Sequence, residues 1–352
     1  MKRIIYIAFV AALSILASCT KQSVDVSPIV SGSSRSYIFF EPEVCNVERT
    51  KADLLTDNTL PSAAETAFGV IGYYGTTSLF DGIAEVKRTE EGGSFDYDGL
   101  VAWQGTTNHD FYAFYPYDLE GDVSLNVDAT TKLANPFLTY TQPTTDAGMI
   151  DILTTKESTQ KTSDNNVTLT FHHRLWALDV KITNSQATGL DSDDEMVSQP
   201  DLTINSVEIY VKDFPEVSYI PLDTTGDIFY GNDKITPEDP YEMFISVTNN
   251  TIGYGDTNTY GTLLFAPVHP NTFQYKLVIN YTDSRGEASS FTYPSTGFKT
   301  SANTFEGGRV YSLTVNKKED VFVVGTYHDP DGDEDDFEPG DWTEVTVSHT
   351  FN

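Results

Sequence analysis

Cysteine is almost absent: the 352 residues contain two, Cys19 and Cys45. With Cys19 at a processed end, no internal disulfide can brace the mature chain, so its stability has to come from core burial. Basic residues are scarce as well, 21 Lys and Arg against 52 Asp and Glu, for a formal charge of −31. That balance excludes nucleic acid as a partner, because counterion release needs clustered Lys and Arg. It suits a solvated surface protein kept soluble by self-repulsion, with an outward face that could hold divalent cations loosely. Beyond the first 18 residues no apolar run is long enough to cross a bilayer, and helical periodicity is nearly missing.

Signatures of catalysis are missing too. There is no Gly-x-Ser-x-Gly elbow, no Walker loop and no dinucleotide fingerprint; Gly253-Tyr254-Gly255 lacks a third glycine and a following helix. His172 and His173 are adjacent on a predicted strand, so they point to opposite faces and cannot chelate one metal together. Cys45 has no CxxC or His-spaced partner for zinc. Among 52 acidic residues some pairs are inevitable, but nothing places two of them in an apolar cleft for hydrolysis. The acidic run Asp329 to Asp336 does not fit an EF-hand, because Glu334 stands where glycine is required and Gly340 where the bidentate Glu belongs. Whether that loop binds calcium weakly stays open. No catalytic residue, no metal site and no cofactor is expected.

Residues 1–18 read as a signal peptide: Lys2 and Arg3, then an uncharged run from Ile4 to Ala17. The run ends at Leu16-Ala17-Ser18-Cys19, which resembles a bacterial lipobox and makes Cys19 the candidate lipidated N-terminus. Acyl chains contribute about 0.8 kcal/mol per buried methylene, enough for several chains to hold a folded body at the outer membrane without a transmembrane helix. The alternative is a plain secretory signal with Cys19 a bystander. Loss of Lys2 and Arg3 takes the formal charge from −31 to −33. Residues 19–35, with a Ser-, Pro- and Gly-containing stretch from Ser23 onward, read as a tether.

The remainder, about 330 residues, exceeds the usual limit for one core. Short alternating segments rich in Tyr, Phe, Val, Ile and Thr recur between Gly, Asp, Asn and Pro clusters, which predicts an all-β sandwich protein. The strand candidates of the first half are Tyr37 to Phe40, Phe68 to Tyr74, Asp110 to Tyr117, Val167 to Phe171 and Leu175 to Ile182. Those of the second are Leu202 to Val211, Glu242 to Val247, Gly261 to Ala266, Phe273 to Tyr281, Ser290 to Tyr293 and Val310 to Val315. In the last strand of the first half, Leu178, Val180 and Ile182 are expected to face inward, with Asp179 and Lys181 in water. Between Thr183 and Asp201, Gly189, an acidic run and Pro200 leave no room for a strand. The expected domains are therefore 36–186 and 187–352.

Several segments together resemble the fimbrillin family of Bacteroidales surface lipoproteins. They are the lipobox Cys19, the Phe68-Gly69-Val70-Ile71-Gly72-Tyr73-Tyr74 strand after a basic segment, and Trp103 leading into Asp110 to Tyr117. Phe171-His172-His173-Arg174-Leu175 ahead of an alternating strand, and the turn and strand Phe305 to Val315, complete the set. The resemblance implies two tandem transthyretin-like Greek-key β-sandwich domains and a surface-exposed subunit of type V-like pili. It also implies assembly with other fimbrial subunits. A protease cuts after a basic residue beyond the first strand, that strand leaves, and an extended segment of another subunit fills the groove.

In this chain the first strand spans roughly Ser36 to Val44, and the next basic residues, Arg49 and Lys51, are the candidate processing sites. The alternative is an ordinary charged loop and an arm that is kept. Val345, Val347 and Phe351 alternate as a donor strand requires, interrupted by His349; alternatively they close the second sandwich. A rival function is a monomeric surface lipoprotein that binds a glycan or another host or bacterial surface ligand, with Trp103 and Trp342 as stacking platforms.

Overall fold

The computed structural model describes residues 36–44, 60–119, 123–126, 136–161, 165–185, 201–212, 215–225, 229–230, 241–247, 250–267, 274–282, 286–300, 305, 307–318, 321–326 and 343–346. All lie in one unit, Ser33–Asn352. The described residues form strands and turns, with a single 3-10 turn, Asp146–Gly148, and no α-helix, as the alternating pattern predicts. The first strands are β1 (Phe39–Val44), β2 (Ala67–Tyr74), β3 (Thr77–Ser78), β4 (Ala84–Arg88), β5 (Phe95–Asp96) and β6 (His109–Tyr115). Then come β7 (Val123–Asn126), β8 (Phe137–Thr141), β9 (Leu153–Thr159), β10 (Asn166–His173), β11 (Trp176–Asn184) and β12 (Leu202–Lys212). They are followed by β13 (Val217–Pro221), β14 (Phe229–Tyr230), β15 (Tyr241–Ile245), β16 (Thr251–Ile252), β17 (Thr257–Phe265) and β18 (Gln274–Thr282). The last are β19 (Ala288–Tyr293), β20 (Lys299–Thr300), β21 (Arg309–Lys318), β22 (Val321–Thr326) and β23 (Thr343–Thr346).

Four sheets result. The largest runs β1-β10-β9-β6-β2-β4-β5, with β3 on β2; a second runs β17-β11-β21-β22, with β23 on β21. The third runs β15-β12-β18-β19 with β16 and β20 alongside, and the fourth β14-β13-β8-β7. Pairing is antiparallel except for β1 with β10, β11 with β21, and β21 with β23. Strand pairs cross residue 186 in both directions: β11 lies between β17 and β21, and β8 pairs with β13.

Period-two alternation explains the layers. In β2, Phe68 and Val70 enter one core while Ile71 and Tyr73 enter another; in β6, Phe111 and Ala113 part from Tyr112 and Phe114 in the same way. β2 and β6, in the middle of the largest sheet, are therefore buried on both faces, which is why they read as near-continuous apolar runs. One core also takes Ile38 just before β1, Phe40 and Val44 from β1, and Val167, Leu169 and Phe171 from β10. The other gathers Leu138, Tyr140 and Ile220 from the fourth sheet with Leu175, Ala177 and Leu264. A third core lies between the second and third sheets, where Val180, Ile182 and Leu313 meet Ile204, Val207, Ile209 and Leu277 in a face-to-face sandwich.

Two glycines allow close approach. A Cβ on Gly69 would stand 2.3 Å from Phe114 Cζ, so only a bare backbone lets that ring lie across β2. Gly261, at φ +52°, is the extra residue where the β11–β17 register shifts between Asp179 and Val180, a bulge.

Leu178, Val180 and Ile182 face the core as expected, but Asp179 does not face water. It is 4% exposed and accepts a 2.8 Å hydrogen bond from Thr262 Oγ1. The physical reason is the ladder and the layer above it: Asp179 stands directly opposite Thr262 of β17, and the face it shares with Ala177 reaches a second core. A buried carboxylate there needs a donor, and the neighbouring strand supplies it.

Candidate functional site: the seat of the first strand

β1 is extended because Ile38, Phe39 and Phe40 are β-branched or aromatic, types that fit a pleated and half-buried surface. Pro42 has no N–H for a ladder, and proline is tolerated in edge strands. β1 is such a strand: among the described residues β10 is its sole ladder partner, from Phe39 opposite Asn166 to Val44 opposite Phe171. Ile38, Phe40 and Val44 are buried, whereas Pro42 is half-buried. Phe40 is the plug of this seat. Its ring meets Phe111 edge-on at 5.4 Å and lies 5.7 Å from Tyr97 and 6.2 Å from Phe80.

The far side of the strand's beginning is held by a clamp. Ile38 N donates to Val101 O at 2.9 Å, Trp103 N donates to Ser36 O at 3.1 Å, and Tyr37 bridges Ala102. Tyr97 ties both together, its hydroxyl donating to Ile38 O at 2.9 Å and accepting from Val101 N at 3.2 Å. Burial pushes this phenol up to about 12. Because ionisation is harder in the fold than in the free chain, Tyr97's contribution is intact below pH 10 and lost as pH rises from 10 towards 12. Tyr97→Phe leaves a carbonyl and an amide unsatisfied, so chemical denaturation should read a loss of about 1–3 kcal/mol, and the variant should lose the part of the alkaline transition that Tyr97 supplies.

The seat is pinned at other points. Lys161 Nζ donates to Ser36 Oγ at 2.6 Å, and Asn166 Nδ2 donates to Glu41 Oε1. Leu60, where the described chain resumes after β1, is buried in the same core, and Pro61 O accepts from Arg88 Nε at 3.1 Å. Next to the clamp a cleft of about 460 Å³ opens, with Leu79, Phe80 and Tyr97 among its lining and Asp81, Glu85 and Asp98 among its acidic groups.

Of the residues singled out from the sequence, Cys19, Arg49, Lys51, Val347 and Phe351 lie outside the described residues, as do Trp342 and the Asp329 to Asp336 run. Val345 lies in β23, in register with Tyr311 of β21. Trp103 is half-buried; its ring packs on His109 at 4.8 Å and Phe111 at 6.2 Å, so it is part of the clamp. His172 and His173 do point apart: His173 is buried with Nδ1 2.9 Å from Asp151 Oδ2, while His172 is half-buried. Arg174, which follows, is buried and donates from Nη1 to Thr224 O at 3.0 Å; burial lowers it to about 10, against the pull of Asp223. Among the described residues no three His, Cys, Asp or Glu side chains gather in a way that could hold a metal ion. The aromatic residues exposed among them, Phe244 and Tyr254, lie on β15 and in the turn after β16. Tyr97, His109 and Leu60 were not legible as parts of the seat, because each stands in a short segment whose role depends on which distant strand lies over it.

The described residues form an all-β fold whose first described strand is both a sheet edge and a piece of the core. The chain belongs to the fimbrillin-like family, whose model matches residues 50–328. Among solved structures it is similar to a fimbrial protein from Bacteroides vulgatus, with 15% identity, a TM-score of 0.54, and coverage of 82% of this chain and 97% of that one. It is also similar to a candidate cell adhesion protein from Bacteroides ovatus, with 14% identity, a TM-score of 0.48 and coverage of 83% and 96%. A third, a candidate cell adhesion protein from Bacteroides uniformis, has 18% identity, a TM-score of 0.45 and coverage of 74% and 90%. No curated protein matches. The first of these likenesses shows the fold; the family is one of fimbrillins rather than of enzymes.

Proposed function

We propose that this chain is a structural or adhesive subunit of surface fimbriae, held at the outer membrane through Cys19 and joined to other subunits by strand exchange. The observation that supports it best is the double character of β1, among the described residues a single-partner edge strand that nonetheless buries Phe40 and Val44, with Ile38 buried just before it. Burial of each such side chain is worth about 1.5–3 kcal/mol. Loss of β1 thus leaves an apolar groove beside the bare edge of β10, and an extended segment from another subunit satisfies both at once.

The C-terminal alternation supports the same reading. Val345, Val347, His349 and Phe351 repeat the spacing of Ile38, Phe40, Pro42 and Val44, and His349 falls at the place of Pro42, the position that is only half-buried. In this form of the chain β23 pairs with β21, so donation requires that short parallel pairing to open. Residues 1–18 are read as the signal, 19–35 as the tether and 36–186 and 187–352 as the two sandwiches, with the strand pairs named above crossing between them.

The test is digestion of the full chain by an Arg- or Lys-specific protease, followed by N-terminal sequencing and unboiled gels. One early cut after Arg49 or Lys51, then ladders of oligomers, is the expected result. A chain cut there that remains monomeric overturns strand exchange and favours a surface lipoprotein that binds a glycan or host ligand on its own.

A further inference from the structure

His109, the first residue of β6, is fully buried beneath the clamp on β1. Its Nε2 lies 3.2 Å from Gln104 N, and an amide nitrogen there can only donate. The ring is therefore neutral with its proton on Nδ1, a buried atom that has no hydrogen-bond partner among the described residues. Tyr74 lies 5.0 Å from the ring, Trp103 sits edge-on at 4.8 Å, and Phe111 stacks at 6.2 Å. The residues that depend on this ring are the ones holding the beginning of β1: Trp103 N bonds Ser36 O, Val101 O takes Ile38 N, and Gln104 follows directly.

We propose that His109 is an acid-sensitive latch on the clamp, so that protonation of Nε2 expels the Gln104 amide, loosens Val101 to Gln104, and exposes the outer edge of β1. A proton on Nε2 would face the Gln104 N–H, replacing an accepted bond by two opposed donors in a site with little water to compensate. The latch gains its meaning from the reading of β1 as a strand that leaves, though the opening itself is a property of the single chain.

The sign follows from burial. Burial holds His109 below its ordinary 6.5, opposed by the nearby Thr107 backbone and by Asp110. The open form, with the ring in water, binds the proton at the ordinary value. Opening is therefore favoured as pH falls below about 6.5, by up to about tenfold per pH unit until the enclosed ring itself takes the proton. The other titratable and charged groups on the surrounding elements are Tyr73 and Tyr74 on β2, Asp110, Tyr112 and Tyr115 on β6, Lys156 and Glu157 on β9 and Lys161 just beyond it; residues 101–108 carry none. Asp110 accepts a hydrogen bond from Ser158 Oγ at 2.7 Å, and Lys161 bonds Ser36.

Hydrogen exchange on the intact, uncleaved chain between pH 7.5 and 5, corrected for intrinsic rates, tests this. In the native chain the amides of Ile38, Trp103 and Gln104 should lose protection as pH falls below about 6.5, up to about tenfold per unit, while core amides of β11 and β12 hold theirs. His109→Gln and His109→Phe should abolish that pH dependence. Should neither variant fold, the native chain still answers, because the Gln104 amide nitrogen shift must titrate together with the His109 ring. Equal protection at pH 7.5 and 5, or the same acid loss in a folded variant, overturns the latch. Ladder formation after proteolysis reports on strand exchange separately, so either idea can fail without the other.

Discussion

Trp176→Ala should lower the unfolding free energy by about 3–5 kcal/mol, the usual range for deleting a large buried aromatic side chain. Trp176 is fully buried on β11, stacked against Phe265 at 4.5 Å and Phe305 at 4.2 Å, with Tyr311 edge-on at 5.6 Å. Its Nε1 donates to Ala266 O at 3.1 Å, so truncation leaves a carbonyl unsatisfied as well as a cavity. A globular domain is stable by roughly 5–15 kcal/mol, so this one change removes about a fifth of it or more. Because Ala177, the next residue, reaches the core shared with the largest sheet, the damage should not stay in one sandwich. Urea denaturation followed separately by near-ultraviolet and far-ultraviolet signals checks this; the midpoint should fall in both. A loss below about 1 kcal/mol would mean that the stack is not the centre of that core. Trp176→Phe, which keeps a ring in the stack, should cost clearly less.

Phe40→Ala should act differently, with the effect confined to one strand. The cavity opens among Phe80, Tyr97 and Phe111, and the lost contacts are again worth about 3–5 kcal/mol. But β1 has one ladder partner, and the strands beneath it keep theirs, so the free energy should appear as local opening rather than global unfolding. Amides from Ile38 to Val44 should exchange about a hundredfold faster or more, since each 1.4 kcal/mol is a factor of ten. Protease cleavage beyond β1 should then be followed by faster release of the arm and earlier ladders. Uniform acceleration across all strands would show that β1 is welded to the fold and not a separable part. Phe40→Leu, which keeps most of the volume, is the control that should stay near the native rate.

Phe40 and Trp176 both lie within strands that the sequence outlined, and Leu178, Val180 and Ile182 were pointed inward by a period of two, because side-chain direction along a strand depends only on immediate neighbours. Asp179 shows where that logic stops: alternation put it in water, and its cross-strand neighbour on β17, Thr262, lies against it instead on a face that is covered. Gly261 was visible as a glycine within a strand, but only its place opposite the break between Asp179 and Val180 reveals a bulge.

The seat itself divides along the same line. Its floor was legible as the strand Phe68 to Tyr74 and the aromatic strand after Trp103. Its clamp was not, since Tyr97, Val101 and His109 matter only because Ser36 to Ile38 lies over them, and no local pattern records that crossing.

What the amino-acid order determined unaided was the all-β class, the approximate limits of the longer strands and the residues that turn inward, all consequences of nearest-neighbour geometry and of apolar side chains avoiding water. What the tertiary structure alone decided was the company each strand keeps: β1 beside β10, β11 between β17 and β21, the Tyr97 hydroxyl between two backbones. Backbone N–H and C=O groups are the same at every residue, so a strand edge does not specify its partner. That choice is made by the cores, when the whole set of inward faces has to be covered at once.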